Sequence, residues 1–150
     1  MRFFAATSTK EDTNDALLDI CADIDSIAKD TQINLAYVFA SPHHKEQCES
    51  ILSKFRNEFA PDVMIGCMGE SIIGDTKEIE GQPAITLWLA NLPDVTISPF
   101  YLQNGEISLP DWPDNMASSK ENPAFIIIAE PFSVDTKALI SHLNKEYPKA

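Results

Sequence analysis

Three apolar runs of strand length, "RFFAAT", "INLAYVFA" and "VMIGC", are separated by stretches of more than twenty residues patterned at helical period. Connections that long do not close hairpins; they carry the chain back across a sheet to start a parallel strand. The spacing therefore predicts right-handed βαβ units with the three strands adjacent and parallel. In the first connection, Ser8 followed by Glu11 reads as a capping box, with Asp12 and Asp15 near the positive end of the helix. Leu17, Ile20, Cys21, Ile24, Ile27 and Ala28 mark its buried stripe. In the second, Ser41 as N-cap and Pro42 at the first helical position start a helix. Its stripe is Cys48, Ile51, Leu52, Phe55 and Phe59, and Pro61 ends it.

The grammar then changes. "PAITLWLA" and "DVTISPFYL", joined by "NLPD", predict an antiparallel hairpin, with Pro99 at an edge or bulge. "QNGEISLPDWPDNMASSKENP" has three prolines and little period, the signature of a lid or binding loop. "AFIIIAEPF" predicts a further buried strand, and "SVDTKALISHLNKEYP" a last helix capped by Ser133, with Leu139, Ile140, Leu143 and Tyr147 inward. The fold class expected is α/β: a mixed sheet with a parallel βαβαβ start plus an antiparallel hairpin, helices packed on the sheet. Residues 1–150 are expected to form a single domain, or a large part of one.

Eleven basic residues stand against 23 acidic ones, a formal charge of −12. Such a surface repels phosphate backbones and anionic headgroups, so neither nucleic acid nor membrane is an expected partner. No apolar run approaches the length of a bilayer span. Three cysteines, Cys21, Cys48 and Cys67, lack disulfide or zinc spacing. A reducing, cytoplasmic compartment is expected, with no metal and no cofactor.

Parallel strands deliver their carboxyl ends to one edge of a sheet, where ligands of open α/β sheets settle. Four junctions are expected there: Thr7-Ser8, Ala40 to His44, Cys67 to Ser71, and Ala129 to Ser133. Free N–H groups at serine-capped helix starts would attract a carboxylate or phosphate. Four of the five glycines fall within "VMIGCMGESIIGDTKEIEG". Gly66 suggests close approach of another backbone, and Gly69 suits a turn with positive φ. The stretch lacks the spacing of a P-loop or dinucleotide fingerprint, so it reads as a turn that also borders a pocket. Cys67, with His43 or His44 as base and Glu70 or Glu130 to orient it, would make a Cys-His-carboxylate set for a hydrolase or transferase. The plainer reading is an inert thiol with both histidines facing water. Asp75, Glu78 and Glu80 read as a solvated acidic turn, His142 as an exposed helix residue, and Trp88 and Trp112 as packing residues. A third alternative is a protein-interaction module using the edge strand and the long loop.

"FFAATST", "VFASPHH" and "IGCMGESIIGDTKEIEGQPAITLWLANLPDV" together resemble the N-terminal region of FIST domains, through "PFYL" and more loosely through "AFIIIAEPFSVDT". The ordered spacing of Ile-Gly-Cys, Gly-Glu, Ile-Gly and Glu-Ile-Glu before an apolar strand carries the likeness. The resemblance implies an intracellular, non-enzymatic sensory domain in signal transduction, binding a small polar ligand such as an amino acid or derivative. It also implies a signalling domain or a C-terminal companion half as partner. The ligand-facing candidates are Ser41, His43, Gly66, Cys67, Met68, Gly69, Glu70 and Ser71. Met68 departs from the small or hydroxyl residue more usual there, which would narrow or dry a pocket.

Overall fold

The structure, a computed structural model, describes residues 1–74, 76–101, 123–130, 132–148 and 150. Its contacts fall into two compact units, Met1–Ile97 and Ser98–Ala150.

The first unit runs β1 (Arg2–Ser8), α1 (Thr13–Ala28), β2 (Leu35–Ala40), a 3-10 turn (Pro42–Gln47), α2 (Cys48–Phe59), β3 (Val63–Met68), β4 (Ser71–Gly74), β5 (Lys77–Glu80) and β6 (Ile85–Asn91). Four strands form one sheet in the order β1-β6-β2-β3. The crossover through α2 joins β2 and β3 in parallel, as the spacing predicts. The adjacency expected for β1 and β2 fails: β6 lies between them, antiparallel to both. Burial explains the insertion. Ile85, Leu87 and Leu89 are fully buried on one face of β6, and Thr86 is buried and Trp88 half-buried on the other. A strand apolar on both faces belongs at the centre of a sheet. β1 begins exposed, then alternates buried and half-buried residues, and takes the edge.

Helices α1 and α2 share one face. Leu17, Ile20 and Ile24 of α1 and Phe55 of α2 pack with Val38 and Leu87 in one core. Ile27 and Leu52, expected in those stripes, are exposed. The start of α1 also differs from the capping box expected at Ser8. Ser8 ends β1 and donates to Asp19 Oδ2 at 2.7 Å, while Asp12 is the cap, its Oδ1 accepting from the Asp15 amide at 3.0 Å.

The opposite face of the sheet carries the hairpin of β4 and β5. Ile72, Ile79 and Ala84 cluster there with Phe39. Gly74 rests on the hydroxyls of Thr7 and Thr86, which bond to each other. An antiparallel hairpin is thus present, but the glycine stretch builds it. The run beginning "DVTISPFYL" has no strand in its described residues. Pro93 and Pro99 lack the N–H a ladder needs, and Val95 and Tyr101 are exposed.

In the second unit, residues 123–130 form no strand, and Ile126, Ile127 and Ile128 are exposed, against the buried strand expected. No strand in the described residues pairs with them, so their β-propensity has nothing to act on. Helix α3 (Thr136–Glu146) is capped by Asp135, whose Oδ1 accepts from the Ala138 amide at 2.9 Å. Ser133, the expected cap, turns its hydroxyl back to the Glu130 carbonyl. Leu139 and Leu143 are buried, Tyr147 meets Phe125 edge-on at 5.1 Å, and Ile140 is exposed. Asp75 and the loop residues 103–122, with Trp112, lie outside the described residues. Among the described residues no helix is long and apolar enough to cross a membrane.

Candidate functional site

The parallel pair β2 and β3 brings the candidate residues to one end of the sheet. Phe39 stands opposite Cys67 and Ala40 opposite Met68, and the Gly69 amide extends the ladder to the Ala40 carbonyl at 3.0 Å. Side chains alternate between faces along a strand, and this divides the set. Ser41 and Cys67 share the hairpin face with Phe39. Met68 lies on the helix side, its Sδ 3.8 Å from Cys48 Sγ at the start of α2. Cys67, Met68, Glu70 and Ser71 are exposed, as is Gly66.

Ser41 is 1% exposed and stands at the N-cap of the 3-10 turn, as expected, but its side chain makes no cap bond there. It exchanges two bonds with Ala84: its amide donates to the Ala84 carbonyl at 2.8 Å, and its hydroxyl accepts from the Ala84 amide at 2.9 Å. The serine thus pins the end of β2 to the entry of β6. His43 is exposed, with Nδ1 3.2 Å from the Ser41 hydroxyl. The helix expected to start at Pro42 begins as a 3-10 turn, and α2 follows from Cys48.

His44 parts company with His43. It is 1% exposed, its Nδ1 2.8 Å from Thr13 Oγ1. Successive residues of a 3-10 helix lie about 120° apart, so adjacent histidines face different surroundings. Pairing "HH" as two equivalent candidates missed this, and the turn geometry is the signal that separates them. Burial holds the His44 imidazole below its ordinary value, His43 adds to this, and Asp12 works against it.

Two glycine expectations separate as well. A Cβ on Gly66 would collide with the Val38 carbonyl, so the close backbone approach read from the sequence is present. Gly69 has no positive φ; the left-handed glycine is Gly81, at 61°. Gly69 instead donates its amide to the Ala40 carbonyl, and its Cβ would meet the Ser71 carbonyl oxygen at 3.3 Å.

The chemistry open to this rim is narrower than the strand-end reading implied. The serine cap bonds it invoked do not form: Asp12 caps α1, and the Ser8 and Ser41 hydroxyls are turned to Asp19 and Ala84. The described residues contain no hydrogen bond between Cys67 and either histidine; these meet Ser41 and Thr13 instead. Glu130 belongs to the second unit and accepts from the Phe132 amide at 3.1 Å. Of the other thiols, Cys21 is buried, which pushes it up to about 11, and Cys48 donates to the Lys45 carbonyl. No group of three His, Cys, Asp or Glu among the described residues is placed to hold a metal. A concavity of about 670 Å³ lies at the other end of β2, where α1 and α2 finish, lined by Asp25, Lys29, Ile33, Glu58 and Phe59 among others.

Residues 34–150, which hold this rim, the hairpin and β6, match the FIST N domain. The chain belongs to the FIST N domain family. It is also similar to uncharacterized proteins of Mycobacterium tuberculosis strain H37Rv, at 26% identity, and Mycobacterium bovis, at 23%, each over 150 residues and 99% of this chain. The chain spans 38% of the length of these relatives. No solved structure matches it. As a FIST N domain it is a sensory-type domain, and the spatial order β1-β6-β2-β3 is the frame on which this chain presents Cys67, Glu70 and Ser71.

Proposed function

We propose that the chain is a non-enzymatic, intracellular sensory domain that binds a small polar ligand at the carboxyl ends of β2 and β3. The observation that carries this reading is the shared rim: exposed Cys67, Glu70, Ser71 and His43 beside a backbone fixed by Ser41 and Gly69. Exposed Glu70 supplies a carboxylate at the rim, and a ligand's amino group is the anchor that suits it. An amino acid or derivative fits that chemistry. The working partners are a signalling domain or a C-terminal companion half; nucleic acid and membrane do not suit a net charge of −12.

Calorimetry of the chain against an amino-acid and amine library tests the reading. A hydrogen bond to a charged group contributes about 1.5–3 kcal/mol, so Glu70→Gln should weaken a bound amine at least about tenfold. A ligand whose affinity ignores Glu70→Gln, or a library without a binder, counts against the site. The non-enzymatic part rests on the histidines being bonded elsewhere. Iodoacetamide labelling of Cys67 at neutral pH should proceed at the same rate in His43→Ala; a large drop would revive a cysteine-based activity.

A further inference from the structure

We propose that His44 makes the joint between the 42–47 turn and the first residue of α1 acid-labile, so that a fall in pH frees the turn carrying His43 and the Ser41 anchor. This goes beyond ligand binding and does not depend on it.

The joint is buried and polar on both sides. Thr13, the first residue of α1, is 3% exposed, and its hydroxyl meets His44 Nδ1. The other ring nitrogen, Nε2, is buried with no hydrogen-bond partner. A neutral ring satisfies Nδ1 in either tautomer. With the proton on Nδ1, the ring donates to Thr13 and leaves Nε2 a bare acceptor. Protonating Nε2 creates a charged donor with nothing to receive it in a site closed to water. Burying an unpaired charge costs far more than burying a neutral polar group, so the charged ring favours an open joint.

The surroundings do little to reverse this. On the α1 side the acids are Asp12, whose carboxylate is engaged by the Asp15 amide, and exposed Asp15 itself. Within the turn, His43 opposes a second positive charge, and Lys45 and Glu46 are exposed. The first turn of α2 offers exposed Glu49 and half-buried Cys48. From β2, which packs on the turn, the ionisable side chain is Tyr37, three residues before the strand ends. The consequence reaches the rim because Ser41, directly ahead of this turn, holds the Ala84 amide.

The sign follows from linkage. The folded protein favours the neutral ring, and the unfolded ring takes its proton near about 6.5. The stabilisation is complete above that value and is lost as pH falls from there toward the lower folded value. For one proton, opening grows by up to about tenfold per pH unit across that window.

Nuclear magnetic resonance titration of the full chain from pH 8 to 5 tests it, with His44→Gln to assign the ring and His43→Gln as control. The expected result is a His44 ring that titrates below the ordinary histidine value, with the Thr13, Ser41 and Ala84 amides moving at its midpoint. Exchange of the Ala84 amide, corrected for its intrinsic pH dependence, should accelerate with the His44 titration in the native chain and in His43→Gln, where loss of the His43 charge moves that titration upward, and stay level in His44→Gln. A His44 ring titrating at or above the ordinary value overturns the proposal. So does amide movement that persists in His44→Gln. Should that variant not fold, the native titration decides alone.

Discussion

Two glycines in the first unit are fixed by contact rather than by dihedral angle. A methyl group at Gly66 would strike the Val38 carbonyl, and one at Gly74 would strike the hydroxyls of Thr7 and Thr86. In both cases the obstruction is held in place by the sheet, so the backbone must shift. Overpacking of this kind costs about 1–3 kcal/mol. Gly74→Ala should lower stability in that range and loosen the hairpin, read by urea unfolding and by exchange at the β4 amides. Gly69→Ala should be milder, because its neighbour stands 3.3 Å away and φ is ordinary. Equal losses at the two positions would mean that the hairpin does not rest on the threonine pair. Ser8 and Asp19 make a second residue-scale device. The Ser8 hydroxyl, then the Lys10 ammonium, hold the Asp19 carboxyl below the usual carboxylate range. Its contribution is present above the ordinary aspartate value and is lost as pH falls through the lower folded value. Ser8→Ala should move the Asp19 titration back upward, as carboxyl carbon resonances would show.

At the scale of elements, helix starts were harder to read than helix bodies. The stripe Leu17, Ile20, Cys21 and Ile24 is buried as its period predicts, because a one-sided helix has one way to face a core. The caps moved: Asp12 replaces Ser8, and Asp135 replaces Ser133. Serine and aspartate are nearly equivalent caps, so sequence offers both and tertiary partners choose; Ser8 was already taken by Asp19. Asp12→Ala should therefore cost about 1 kcal/mol through α1, a loss that urea unfolding followed by helical circular dichroism would register. The parallel pair and the convergence of Ser41 and Cys67 were legible from connection length alone. The place of β6 was not, since an apolar strand shows that it is buried but not which strands flank it. Nor was the split of the candidate residues across two faces fully visible, because Met68 and Cys67 alternate about a strand whose orientation only the packed helices set.

The whole molecule consists of two units of unequal burial. The first encloses the core of α1, α2 and the sheet, whereas the second leaves Phe132 at 98% exposure and Tyr101 at 80%. Brief chymotrypsin treatment should cut in the second unit first and leave a resistant piece close to Met1–Ile97. Early cleavage at buried Phe4 or Phe55 would contradict this division.

The central position of β6 also bears on synthesis. β1 and β2 touch the same sheet only through a strand completed at Asn91. A nascent chain emerging from the ribosome thus holds its opening strand idle for some eighty residues, a loop whose closure slows folding. Until the seventh strand residue after Ala84 has cleared the exit tunnel, Phe3 and Phe4 have no complete ladder to join.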